Sequence, residues 1–211
     1  RLVVGGFERV FEIGRVFRNE GMDYKHNPEY TMLEMYQAYA DYEVMMRLVE
    51  ELVAAIAVKV TGSTKLTYQG KEINFKPPWK RRSLLGALKE YGGIDISHED
   101  FGSNSKNIRD DLVKIARSKG LEVDKSFGVG KIINLLYDKF VEGHLIQPTF
   151  IVDYPIETSP LAKKKRGNPH LVERFEVIVA GMELINAFTE LNDPLDQRSR
   201  FEEQAKLKKA G

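Results

Sequence analysis

R-V-F-E-I-G-R-V-F-R-N-E (Arg9–Glu20), G-M-D-Y-K-H-N-P-E (Gly21–Glu29) and Y-T-M-L-E-M-Y-Q-A-Y (Tyr30–Tyr39) follow one another near the start of the 211-residue chain. The outer pieces are rich in aromatic and branched residues, and the middle carries Gly, Asp, Asn and Pro. That pattern predicts two strands joined by a long polar loop. Alternate residues of a strand share a face. Val16, Arg18 and Glu20 therefore point one way, and Phe11, Ile13 and Phe17 the other. On the second strand Tyr30, Met32, Glu34 and Tyr36 share a face, with Thr31, Leu33 and Met35 opposite. A solvated outer face is the ordinary reading of such a hairpin. Against it stand a carboxylate in mid-strand between Met32 and Tyr36, and an overhanging loop with Lys25, His26 and Asn27.

F-R-N-E-G followed by H-N-P-E-Y-T-M-L-E-M-Y resembles motif 2 of the class II aminoacyl-tRNA synthetases, in the form found in lysyl-tRNA synthetases. The likeness is long and nearly ungapped. It implies an α+β fold: the antiparallel sheet of the class II catalytic core, flanking helices and a small helical insertion.

Composition sets wide bounds. Hydrophobic residues make up 42% and charged residues 30%, enough for one substantial core. The net charge is +1, from 32 basic and 31 acidic residues, so bulk charge says nothing of nucleic acid. With no Cys there is no disulfide framework, which fits the cytoplasm. No transmembrane run or signal peptide is read, and no membrane partner is expected. The opening R-L-V-V-G-G and closing K-K-A-G read as the ends of a piece cut from something longer.

Taken in order, Arg1–Gly6 reads as the end of a helix. Asp41 is a good N-cap for a helix whose stripe is Met45, Leu48, Val49, Leu52, Val53, Ile56 and Val60, closed by Gly62. A second hairpin turns at Gln69–Gly70, and Ser83 caps a short helix ending at Gly92–Gly93. Between about Ile94 and Gln147 two amphipathic helices, 107–119 and 130–142, form the insertion. P-T-F-I-V-D-Y-P (Pro148–Pro155) reads as a buried strand. S-P-L-A-K-K-K-R-G-N-P (Ser159–Pro169) reads as a loop, its basic cluster Lys163–Arg166 either touching RNA phosphates or simply solvated. The expected divisions are 1–93 and 148–211 for the core and 94–147 for the insertion.

R-F-E-V-I-V-A-G-M-E-L-I-N-A-F-T-E-L-N-D-P (Arg174–Pro194) predicts two strands turning at Ala180–Gly181, then a helix from Pro194 to about Lys209 capped by Asn192 or Asp193. Across a two-residue turn, partners sum to an odd number, so Glu176 and Glu183 share a face. Two converging carboxylates are costly unless a cation neutralises them, and Mg²⁺ completing its shell with phosphate and water suits them. On spacing alone, each could equally face solvent. The stretch is also similar to the lysyl-enzyme signature, and that resemblance assigns Glu176 and Glu183 to Mg²⁺ and ATP. It places Asn186 and Phe188 in the amino-acid pocket, with Glu190 on the substrate. Glu183 and Glu190 differ by an odd number, however. A common pocket therefore requires a bulge between Glu183 and Asn186.

The resemblance implies lysine plus ATP giving lysyl-adenylate, then transfer to tRNA(Lys). Arg18 matches the catalytic bridge between substrate carboxylate and α-phosphate. His26 matches a contact to the outer phosphates, Asn27 and Tyr30 the adenine edge and its stacking face, and Glu20 a nucleotide or tRNA-end contact. Glu34 and Tyr36 join Glu190 around the lysine ammonium. The full-length enzyme is expected to be a homodimer. Motif 1, motif 3 and the anticodon domain are not in this sequence, so the isolated chain is expected to be inactive. Two rivals are a synthetase-like ligase that modifies a translation elongation factor and a non-catalytic synthetase-like module. The second usually loses the charges that Arg18, Glu34, Glu176, Glu183 and Glu190 supply here.

Overall fold

The computed structural model describes residues 1–19, 21–23, 25–96 and 106–210. Two compact units make up the chain, Arg1–Asp41 and Tyr42–Gly211.

The first unit is a hairpin preceded by a turn. Gly5 N–H donates to Arg1 C=O at 2.8 Å and Gly6 adopts φ +102°, so the expected helix end is a hydrogen-bonded turn instead, with no helix among the described residues before β1. Strand β1 (Arg9–Phe17) pairs antiparallel with β2 (Glu29–Gln37), in a register running from Arg9↔Gln37 to Phe17↔Glu29. Partners opposite each other share a face. Val10, Glu12, Gly14 and Val16 therefore line up with Tyr36, Glu34, Met32 and Tyr30, the face read from parity. The other face carries Phe11, Ile13, Phe17 and Leu33, all exposed.

The second unit is built on a four-stranded sheet in the order β10-β9-β6-β5. Its strands are β5 (Lys80–Ser83), β6 (Thr149–Val152), β9 (Arg174–Val179) and β10 (Met182–Phe188). Only β5 and β6 run parallel; the other neighbours are antiparallel. Parallel neighbours need a long crossover. Helices α2 (Leu84–Gly92), α3 (Lys106–Ser118) and α4 (Val129–Phe140) lie along the chain between them. Ser83 Oγ accepts from Gly86 N–H at 3.1 Å and Gly93 takes φ 64° as the C-cap, so α2 starts and stops where its capping residues say. These helices share one buried core with Ile151 and Ile178, and include Leu84, Leu88, Ile132 and Leu136.

Phe150 and Phe175 occupy the opposite face of the sheet. Their rings are 5.2 Å apart edge to face, and Trp79 packs on Phe150 at 5.5 Å. Helix α1 (Tyr42–Thr61) is tied to this side. Glu50 accepts from Trp79 N–H at 2.7 Å, and Glu43 meets Arg81 of β5 at 2.8 Å. Its buried residues are Tyr42, Met46, Val49, Glu50 and Ala57, whereas Leu48, Ile56 and Val60 are exposed. The predicted stripe is thus rotated. Apolar residues cover so much of the circumference of α1 that period alone does not select the inner face.

The small hairpin β3 (Lys65–Tyr68) and β4 (Lys71–Asn74) turns at Gln69 and Gly70, both at positive φ, as read. The Ser159–Pro169 loop is corrected. It contains a short hairpin, β7 (Lys164–Lys165) against β8 (Asn168–Val172), turning at Gly167 with φ 81°. Helix α5 (Pro194–Ala210) closes the chain, with Asp193 Oδ1 accepting from Leu195 N–H at 2.9 Å and Asp196 N–H at 3.2 Å. Asp193, rather than Asn192, is the cap.

Candidate active site

On the hairpin unit, the Arg18 guanidinium lies over the Tyr30 ring at 5.6 Å from its centroid. Arg18 follows β1 directly, and its N–H donates to Pro28 C=O at 2.9 Å, so the strand geometry extends one step into the loop. Within that loop Asp23 accepts from the amides of Lys25 at 2.7 Å and His26 at 2.8 Å, and its carboxylate meets His26 Nδ1 at 2.9 Å. The His26 contact and the Lys25 amide hold the Asp23 carboxyl below its ordinary value. Asn27 is exposed in the same loop. Glu34 and Tyr36 lie on the Tyr30 face. Glu12, which the sequence reading passed over, stands directly opposite Glu34. Like charges in such a pair destabilise a hairpin, and their common preference is for a cation. Glu20 lies outside the described residues.

On the sheet unit the second cluster forms around a bulge. Met182↔Val179 and Glu183↔Ile178 are paired normally, the register then shifts between Glu183 and Ile185, and Asn186 comes to stand opposite Glu176. The extra residue corrects parity: Glu183, Glu176 and Asn186 all take one face, as does Phe188 opposite Arg174. The turn that starts β10 is fixed by Ala180 and Gly181, at φ 53° and 74°.

Arg174 is the hub of this cluster. It forms an ion pair with Glu176, and its Nε donates to Asn186 Oδ1 at 3.1 Å. Its Nη1 donates to Ser159 Oγ at 2.9 Å, and its guanidinium lies over the Tyr154 ring at 4.5 Å. Tyr154 O–H donates to the other Glu176 oxygen at 2.7 Å. Complete burial, then the Glu176 charge, hold this hydroxyl well above its ordinary pKa, so it remains a donor. Sequence reading missed both partners. Arg174 was within reach, since two residues along a strand share a face; Tyr154 comes from beyond β6 and only the β6–β9 pairing brings it in.

The Glu183 carboxyl is pushed up to about 7, first by desolvation and then by Glu176, with Arg174 opposing. Its side chain is nonetheless accessible. Among the described residues no group of three or more His, Cys, Asp or Glu side chains is arranged to hold a metal ion. The Glu176–Glu183 pair, on one face, has the oxygen donors of a partial shell for a hard divalent ion whose remaining ligands would arrive with an anionic substrate.

Phe188 is half-buried against the core. Glu190 follows beyond β10, bridged through its backbone to Ala162, and desolvation raises its carboxyl pKa. The basic cluster is fully engaged. Lys163 donates to Asn192 at 3.2 Å, Lys164 meets Asp196 at 3.1 Å, Lys165 pairs with Asp153, and Arg166 meets the buried Glu173 at 2.6 Å.

The hairpin unit carries Arg18 and its long loop, and the sheet unit carries the Glu176–Glu183 pair on a bulged strand. The family described as tRNA synthetases class II (D, K and N) matches residues 1–210, and the chain belongs to that family. Within it the chain is 52% identical over its whole length to a protein named lysine–tRNA ligase from Thermoanaerobacter pseudethanolicus. It is 53% identical to the protein of that name from Moorella thermoacetica, and 54% identical to that from Roseiflexus castenholzii. The chain spans 41% to 42% of the length of these relatives.

Proposed function

We propose that this chain is the catalytic core of a lysine–tRNA ligase, activating lysine with ATP and passing it to tRNA(Lys) in the cytoplasm, in an enzyme that works as a homodimer. In this reading 94–147 is an insertion carried on a core of 1–93 and 148–211. The supporting observation is the sign of the charges. The family accommodates more than one amino acid, and an acidic substrate needs a cationic pocket. Here Glu34, opposed by Glu12, and Glu190, raised by desolvation, offer carboxylates to a cation. A neutral amino acid would leave them unpaired.

The attacking lysine carboxylate is ionised at neutral pH and needs no general base. It adds to the α-phosphorus of ATP, the bond to pyrophosphate breaks, and lysyl-adenylate remains. What the protein supplies is alignment and charge. Arg18, planar and always charged, bridges the carboxylate and α-phosphate. Tyr30 gives the purine a stacking face, Asn27 its edge contact, Glu20 a further nucleotide or tRNA-end contact, and His26, fixed by Asp23, reaches the outer phosphates. Glu176 and Glu183 would hold Mg²⁺ when phosphates are present, and the ion would neutralise their charge. Asn186 and Phe188 line the amino-acid side, and Tyr36 adds a hydroxyl for the ammonium.

The test is amino-acid-dependent ATP–pyrophosphate exchange by the complete gene product. Lysine alone should support it, and Glu190→Gln should weaken lysine binding by about 2–5 kcal/mol while leaving ATP nearly unchanged. Exchange driven by aspartate or asparagine, or equal losses for both ligands, rejects the assignment.

A further inference from the structure

Arg200 on α5 is a charged residue with only 6% of its surface exposed. A buried guanidinium is costly unless its donors are satisfied, and the partners here are unusual. Asp196, one turn earlier, takes Nε at 3.1 Å and Nη2 at 2.8 Å. The remaining nitrogen, Nη1, turns to the backbone of a single segment. It donates to Ala162 C=O at 2.6 Å and Ser159 C=O at 3.3 Å, with Pro160 C=O at 3.5 Å. Lys164 reaches back to Asp196 at 3.1 Å, so residues 159–164 are held to α5 from both ends.

The far side of that segment carries the site. Lys163 N–H donates to Thr189 C=O at 2.8 Å, Leu191 N–H donates to Leu161 C=O at 2.9 Å, and Ala162 bridges Glu190. Glu190 lies past the end of β10, and this pairing with 161–163 is its backbone support. Ser159 also accepts from Arg174, the residue that holds Glu176 and Asn186. One buried cation thus fixes the strip of backbone against which Glu190 is aligned.

We infer that Arg200 is a positioning residue for amino-acid recognition, holding residues 159–163 so that the Glu190 backbone is fixed for the substrate ammonium. The inference rests on the lysine-ligase reading above. Arg200 touches no substrate; it acts through the strap. When the strap loosens, Arg174 keeps its ion pair with Glu176, so the nucleotide side suffers less than the lysine side.

The experiment uses the full-length protein and variants Arg200→Met, Arg200→Lys, Glu190→Gln and the Arg200→Met/Glu190→Gln double. Lysine and ATP dissociation constants are measured by calorimetry, and amide exchange is followed at Lys163 and Leu191 against Val177 in the sheet. Arg200→Met should speed exchange at Lys163 and Leu191 but not at Val177. It should weaken lysine about tenfold or more, as displaced binding groups do, with a much smaller change for ATP. Arg200→Lys, which keeps the charge but not the fork, should fall between. The double variant should lose no more lysine affinity than Glu190→Gln alone, because Arg200 works through that residue. Unchanged exchange, equal losses for both ligands, or additive losses in the double overturns the inference. If Arg200→Met does not fold, Asp196→Asn, which slackens the grip on the guanidinium, is put through the same measurements with the same expected split. Failure of the wild-type protein to bind lysine sinks the functional reading and this inference with it. Normal wild-type binding with an indifferent Arg200→Met sinks this inference alone.

Discussion

Asp196 shows how one carboxylate makes stability depend on pH. The hydrogen bonds from Arg200, and then from Lys164, hold its carboxyl below the ordinary value. A carboxylate of this kind favours the folded state at every pH above its unfolded value. The contribution is lost as the pH falls through the folded value, so the window lies below about pH 4. Asp196→Asn should therefore cost about 2–4 kcal/mol near neutrality, since it leaves a buried guanidinium poorly paired. The gap to wild type should narrow between about pH 4 and the acid transition as the wild-type carboxyl takes up its proton. Urea midpoints measured across that range check it. A gap that stays constant with pH would mean that the pair does not ionise as described.

At the scale of the element, the bulge in β10 is what turns a list of residues into a site. A one-residue slip moves every later side chain to the other face. Deleting Leu184, the extra residue, should keep Glu183 opposite Ile178 and Asn186 opposite Glu176, now two apart on a regular strand and still on one face. The full-length protein should then keep its far-UV circular dichroism and hold ATP within about threefold of wild type. A loss of ATP affinity of about tenfold or more in a folded deletion variant would show that this register is not kept beyond Glu183. The bulge was legible once the resemblance had put Glu183 and Glu190 in one pocket, because their odd separation cannot otherwise set them on one face. Both tight turns and the α2 caps were legible too, because Gln69–Gly70, Ala180–Gly181, Ser83 and Gly93 announce their backbone conformations chemically. Other features were not. K-R-R-S gives no strand signal, since β5 gets its place from pairing parallel with β6 rather than from its own side chains. Tyr154 joins Glu176 only through sheet topology. The basic run Lys163–Arg166 looks like a mobile solvated loop because its partners Asp153, Glu173, Asn192 and Asp196 are scattered along the chain.

The whole molecule divides into units of unequal self-sufficiency. In Arg1–Asp41 none of the described residues is buried, and Phe11 and Phe17 are 74% and 75% exposed. A lone two-stranded hairpin is marginal in water even with good turn chemistry, and this one carries Glu12 opposite Glu34 and a long loop besides. All of the buried hydrophobic core, from Tyr42 to Val179, belongs to the second unit. That unit also holds the single tryptophan, Trp79, 6% exposed in the aromatic stack with Phe75, Phe150 and Phe175. Its fluorescence therefore reports on the second unit without interference. Residues 42–210 produced alone should unfold in urea as one cooperative transition, with Trp79 fluorescence and far-UV circular dichroism coinciding. A peptide of residues 1–41 should show no hairpin signature and no protected amides at β1 or β2, because it buries too little apolar surface to offset the entropy of ordering its loop. Protected β1–β2 amides in the isolated peptide, or non-coincident transitions in 42–210, would place the stability of this chain elsewhere than in the core around Trp79 and the α2–α4 helices.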